Sequence, residues 1–140
     1  MTRKKRTMNK SELIAKAWEA REKAYCPYSQ YKVGAALIGI NGKVYTGCNI
    51  ENASFGMTVC AERTAIFKMV SDGCLKFKAL AVVSADDGDG APCLACRQVM
   101  TEFCESWDTP VYSAGPNSVY EHPMKEICPL PFVAFEKDKD

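Results

Sequence analysis

Apolar residues along this chain alternate between helical and extended spacing. Leu13, Ile14, Ala17, Trp18 and Ala24 recur at helical intervals after Asn9-Lys10-Ser11-Glu12. Asn9 is a candidate N-cap there, with Glu12 three residues on to complete a capping box. Pro27 ends the element, because proline cannot continue a helix. Residues 31–40 and 43–50 are apolar, β-prone runs, and the Asn41-Gly42 between them predicts a hairpin. Gly34, Ala35 and Ala36 in the first run leave room for a close approach, by a packed helix in preference to a ligand. Residues 59–70 read as a helix closed by Ser71-Asp72-Gly73. Residues 77–84 are almost continuously apolar, as in a strand buried on both faces. A helix from Cys93 to about Ser106, short strands near 110–113 and 119–122, and a short helix over 125–128 complete the pattern. The order implies an α/β fold, a mixed sheet with helices on its faces.

Composition narrows the class. The chain has 140 residues, 47% of them hydrophobic and 25% charged, which suits one globular domain with a sizeable core. Residues 9–140 are expected to form that single domain, and residues 1–8 a flexible basic tail carrying Arg3, Lys4, Lys5 and Arg6. No apolar stretch follows the basic residues, so a secretory signal is not expected. No run approaches the roughly 18 apolar residues of a membrane helix, so no membrane partner is expected either. A net charge of +1, with no basic stripe interleaved with aromatics, argues against nucleic acid as a partner. Eight cysteines without a secretory signal point to a reduced, cytoplasmic setting. Cys26, Cys48, Cys74, Cys104 and Cys128 are expected to pack as small hydrophobes.

The other three cysteines carry the chemistry. Cys60-Ala61-Glu62-Arg63 offers a thiolate and, two residues on, a carboxylate. Pro92-Cys93-Leu94-Ala95-Cys96-Arg97-Gln98 offers two thiolates at C-x-x-C spacing. In a first helical turn that spacing puts both sulfurs on one side, where they can share a tetrahedral Zn²⁺. Three thiolates leave one coordination position open, which marks a catalytic zinc. The net charge of such a site is about −1, so it needs compensation. Two positive helix ends, with Arg63 and Arg97 donating to sulfur, are the expected sources.

Glu62 separates the alternatives. In a structural site it is only a favourable acid in a first helical turn. In a catalytic site it moves protons beside a metal-activated water. A structural zinc would need a fourth ligand, and the one histidine, His122, reads as a surface residue of an edge strand. Asn49, Glu51 and Asn52 gather at a strand end, where α/β sites lie. The acidic loop 85–90 reads as a solvated turn.

Together, Tyr31-Lys32-Val33-Gly34-Ala35-Ala36, Gly47-Cys48-Asn49-Ile50-Glu51-Asn52-Ala53, Cys60-Ala61-Glu62-Arg63-Thr64-Ala65 and Pro92-Cys93-Leu94-Ala95-Cys96-Arg97-Gln98-Val99 closely resemble the small homotetrameric zinc-dependent cytidine deaminases. The likeness runs from about Asn9 to Phe132. It implies a three-layer α/β/α fold with a mixed five-stranded sheet, and one zinc per subunit on Cys60, Cys93 and Cys96. It further implies hydrolytic deamination of cytidine and 2′-deoxycytidine to uridine and 2′-deoxyuridine, releasing ammonia, in pyrimidine salvage. Glu62 would be the catalytic proton carrier. Asn49 and Glu51 would hold ribose hydroxyls, Tyr31 would border the pyrimidine, and Arg63 and Gln98 would support the metal ligands. Ala53, Phe55 and Phe132 match positions that reach into a neighbouring subunit's site. Tyr31 stands where the family usually has Phe, Phe55 where it has Tyr, and Leu94 where it has Gly. Deaminases of modified cytosine nucleosides or of polynucleotides, and a structural zinc module, are the rival readings.

Overall fold

In a computed structural model, residues 8–90 and 92–132 are described. The expected basic tail, residues 1–8, lies outside them apart from Met8, as do residues 133–140 at the far end of the expected domain.

Among the described residues, four α-helices and five strands follow one another in the predicted order. They are α1 (Lys10–Arg21), β1 (Gly34–Gly39), β2 (Val44–Cys48), α2 (Ala61–Ser71), β3 (Phe77–Val83), α3 (Leu94–Phe103), β4 (Pro110–Ala114), β5 (Val119–Pro123) and α4 (Met124–Ile127). Asn9 caps α1 through its side-chain oxygen, which accepts from Glu12 N at 2.9 Å, and Asn9 Nδ2 donates back to the Glu12 carboxylate.

The strands form one sheet in the order β2-β1-β3-β4-β5. β1 pairs antiparallel with both β2 and β3, β3 pairs parallel with β4, and β4 antiparallel with β5. The mixed sheet is therefore as expected. All of β1 is buried because helices cover both of its faces. Ala36 and Ile38 pack with Leu13 and Ala17 of α1. Ala35 and Leu37, on the opposite face, pack with Ile66 and Met69 of α2 and Met100 of α3. A bulge between Ile38 and Gly39 shifts the register, so Phe77 and Leu80 of β3 share the α2 side.

Small residues set how near the helices come. A Cβ on Gly34 would lie 2.1 Å from Ala17 O of α1, and one on Gly47 would lie 2.5 Å from both Ala61 O and Ala65 N of α2. Packed helices, not ligands, occupy both approaches. Since the obstacle is backbone, Gly34→Ala should destabilise the fold by about 3 kcal/mol, the upper part of the overpacking range. A urea midpoint within error of the parent's would contradict that packing.

Three boundaries are shorter than the pattern suggests, each because the backbone finds another partner. Past Arg21 the chain leaves the helix, and Tyr25 exchanges backbone bonds with Asn49 and Glu51. Residues 31–33 precede β1 because the Asn49 side chain takes the place of the ladder, accepting from Val33 N and donating to Tyr31 O. Cys104 closes α3 early and Glu105 N bonds Phe77 O of β3. A single 3-10 turn at Phe55–Met57 precedes Val59, which pairs with Ile50 before α2 begins.

Of the cysteines expected to pack, Cys74 and Cys104 are buried, while Cys26, Cys48 and Cys128 are half-buried. All are free thiols. Among the described residues no helix is long and apolar enough to cross a membrane.

Candidate active site

The three cysteines that the sequence singles out converge. Cys60 is the N-cap residue of α2 and Cys93 that of α3, so two helix N-termini face one point. Cys93 Sγ accepts from Cys96 N at 3.4 Å, which turns the C-x-x-C pair onto one side of the first turn. The Sγ atoms of Cys60, Cys93 and Cys96 all lie within 4.8 Å of one another, with Cys60 and Cys93 separated by 3.7 Å. Two sulfurs of a tetrahedral zinc with Zn–S bonds of about 2.3 Å stand about 3.8 Å apart. The donor set and its span therefore fit zinc.

The surroundings favour anionic sulfur. Arg63 Nη2 lies 3.5 Å from Cys60 Sγ and 3.4 Å from Thr58 O. A hydrogen bond between the Cys60 and Cys96 sulfurs, helped by Arg63, lowers the Cys60 thiol to about 5. The same sharing, with burial, drives Cys96 far upward, so one proton is held between the two. Arg63 is itself held more firmly protonated by the Cys60 sulfur.

Glu62 lies beside this cluster in the first turn of α2 and is only 4% exposed. Burial, and next the charge of Cys60, push its carboxyl up to about 7. At neutral pH such a group can both accept and donate a proton. Glu62, Cys60 and Cys93 line a cavity of about 640 Å³, an ample volume for a nucleoside-sized ligand.

Asn49 and Tyr31 line the same cavity. The buried Glu51 does not, and borders a second, more open depression of about 820 Å³ on the α2 side. Its carboxylate accepts from Ser29 Oγ and from the backbone N–H groups of Ser29 and Tyr28, which hold it below the usual carboxylate range. Ala53, Phe55 and Phe132 are exposed and stand outside the cavity.

Two arginine and glutamine expectations resolve differently from Arg63. Arg97 donates not to sulfur but to Pro92 O at 2.6 Å and Ile127 O at 3.2 Å, fastening the ligand loop to α4. Gln98 exchanges two hydrogen bonds with the backbone of Phe132, at 2.6 and 3.0 Å, and so holds the C-terminal segment against α3. His122 sits between Asp89 and Glu126 and is not part of the cysteine cluster.

Asp86, in the loop expected to be a solvated turn, is a further residue of the site. It follows β3 and lines the cavity, where its carboxylate accepts from Tyr31 Oη at 2.7 Å. Its position just past the end of a parallel strand is the signal that could have found it.

Residues 7–110 match the family model described as the cytidine and deoxycytidylate deaminase zinc-binding region. The chain belongs to that family. A cytidine deaminase of Sporosarcina psychrophila is 57% identical over 105 residues, 75% of this chain and 76% of the relative. One of Halalkalibacterium halodurans is 48% identical over 128 residues, 91% of this chain and 96% of the relative. The crystal structure of a cytidine deaminase from Burkholderia pseudomallei superposes with a TM-score of 0.85 at 45% identity, covering 89% of this chain and all of that one. The deaminase fold thus spans both cysteine segments, the sheet and the buried glutamate.

Proposed function

We propose that this chain hydrolytically deaminates cytidine and 2′-deoxycytidine, giving uridine and 2′-deoxyuridine and releasing ammonia, as an enzyme of pyrimidine salvage in the cytoplasm. The observation that carries this reading is a buried carboxyl, Glu62, beside three clustered sulfurs on the wall of a nucleoside-sized cavity. A structural zinc module has no use for an acid held near neutrality at a cavity wall.

Cys60, Cys93 and Cys96 would hold one zinc per subunit. Zinc supplies Lewis acidity, which makes water a nucleophile at neutral pH. Glu62 takes one proton of the attacking water and delivers it to N3 of cytosine, then carries the second, from the oxygen now bonded to C4, to the amino group, which leaves as ammonia as the C4 carbonyl forms. Burial raises this carboxyl above the ordinary range, which suits a group that must both take and give a proton. Arg63 and the two helix ends offset the excess thiolate charge. Tyr31 forms a wall beside the pyrimidine.

Asn49 holds a ribose hydroxyl from the cavity wall, and Glu51, the other expected ribose contact, lies outside that wall with its carboxylate bonded to Ser29 and Tyr28. Asn49 spends one donor and one acceptor position on residues 31–33, leaving one of each for a sugar hydroxyl. Ala53, Phe55 and Phe132 complete the site of a neighbouring subunit in a homotetramer. Phe55 and Phe132, each 67% exposed, are large apolar side chains that an isolated chain leaves in water.

Assay of ammonia release from free nucleosides, nucleotides and single strands tests the activity. Cytidine and deoxycytidine should be consumed and polynucleotides spared; turnover confined to strands would overturn the reading. Light scattering should give about four subunits, whereas a fully active monomer would rule out shared sites.

A further inference from the structure

Tyr31 is fastened at both ends. Its carbonyl accepts from Asn49 Nδ2 at 2.7 Å and its backbone N–H donates to Ser29 Oγ at 3.0 Å. At the far end, its hydroxyl donates to Asp86 Oδ2 at 2.7 Å, across 55 residues of sequence. Both residues line the cavity, so this bond joins the segment before β1 to the loop after β3 along one wall.

The Asp86 end is itself rigid. Asp86 N donates to Ser84 Oγ, and Gly115 lies so near that a Cβ there would be 2.3 Å from Asp86 O. The next residue, Asp87, accepts from Asn117 N at 2.7 Å and Ser118 Oγ at 3.1 Å, tying the loop to the turn between β4 and β5. A half-exposed tyrosine ring anchored only by its backbone would sample several rotamers.

We propose that Asp86 is a positioning residue: through the Tyr31 hydroxyl it locks the Tyr31 ring as a preformed wall of the substrate cavity. This assignment rests on the cytidine-deaminating reading and adds to it a residue that does not touch the reacting atoms. Holding the ring before substrate arrives removes an ordering cost from binding. The bond is also charge-assisted, so a neutral acceptor should replace it only in part.

Steady-state kinetics on cytidine, for the zinc-loaded full chain, tests this. Asp86→Ala should raise KM by about three- to tenfold, the cost of ordering one side chain, with a smaller effect on kcat. Asp86→Asn keeps an acceptor and should recover part of the loss. Tyr31→Phe should raise KM by a similar factor, and the double variant should be no worse than either single one. Thermal melts check that the variants fold, which the exposure of Asp86 favours. An Asp86→Ala KM equal to the parent's, strictly multiplicative effects in the double variant, or a loss confined to kcat would each overturn the proposal. A parent enzyme inactive on cytidine would instead sink the underlying functional reading.

Discussion

Glu62→Gln should lower kcat on cytidine by about 10²–10⁴-fold, the usual worth of a general acid–base group. Metal analysis should still find zinc, because Glu62 is not one of the three clustered sulfur donors. The replacement keeps the size of a side chain that is only 4% exposed, so the fold should survive. What it removes is the ability to gain and lose a proton at a position where burial and Cys60 hold the acid near 7. The amide cannot take the water's proton, nor give one to N3. Near-parental turnover by a zinc-loaded variant would show that proton transfer runs through another group.

Cys96→Ala should abolish both zinc retention and activity, with kcat/KM falling at least about as far as for loss of Glu62. Cys96 is fully buried, and its sulfur closes the group that the two helix N-termini assemble. Two remaining thiolates cannot fill a three-ligand catalytic site. The pH dependence of loading follows from the same sulfurs. Cys60 and Cys96 share one proton, the Cys60 thiol being lowered and the Cys96 thiol raised far above its ordinary range. Zinc must displace that proton, so chelator-stripped protein should reload more tightly as pH rises, releasing protons on uptake. Calorimetry in buffers of differing ionisation enthalpy would measure the release. Loading that weakened with rising pH would contradict the shared-proton account.

The three clustered cysteines, and the order of strands and α-helices among the described residues, were legible in the sequence. Cysteine spacing is a local property, since N-cap geometry turns Cys93 and Cys96 onto one side whatever the rest of the chain does. Gly34 and Gly47 likewise announced close packing in the strands themselves. Long-range partners were not legible. Arg97 looked as near to sulfur as Arg63, yet Pro92 O and Ile127 O claim it once α4 packs below. Acids 86–89 resembled a solvated turn because nothing local shows that Tyr31, Asn117 and His122 will meet them. The true ends of α1 and α3 were set by backbone partners in other elements, which helical periodicity does not encode.

The Asn49 amide has a consequence for how variants of this enzyme should be read. One side chain supplies the main-chain partners of Tyr31 and Val33 and also faces the cavity. Truncating it would unfasten a wall and delete the proposed sugar contact in a single step, so its kinetic penalty would not report either role alone. Selection acting on substrate choice at this position is constrained by the architecture it supports. New specificity is easier to reach from Tyr31 or the acidic loop, whose side chains can change while the start of β1 keeps its anchor.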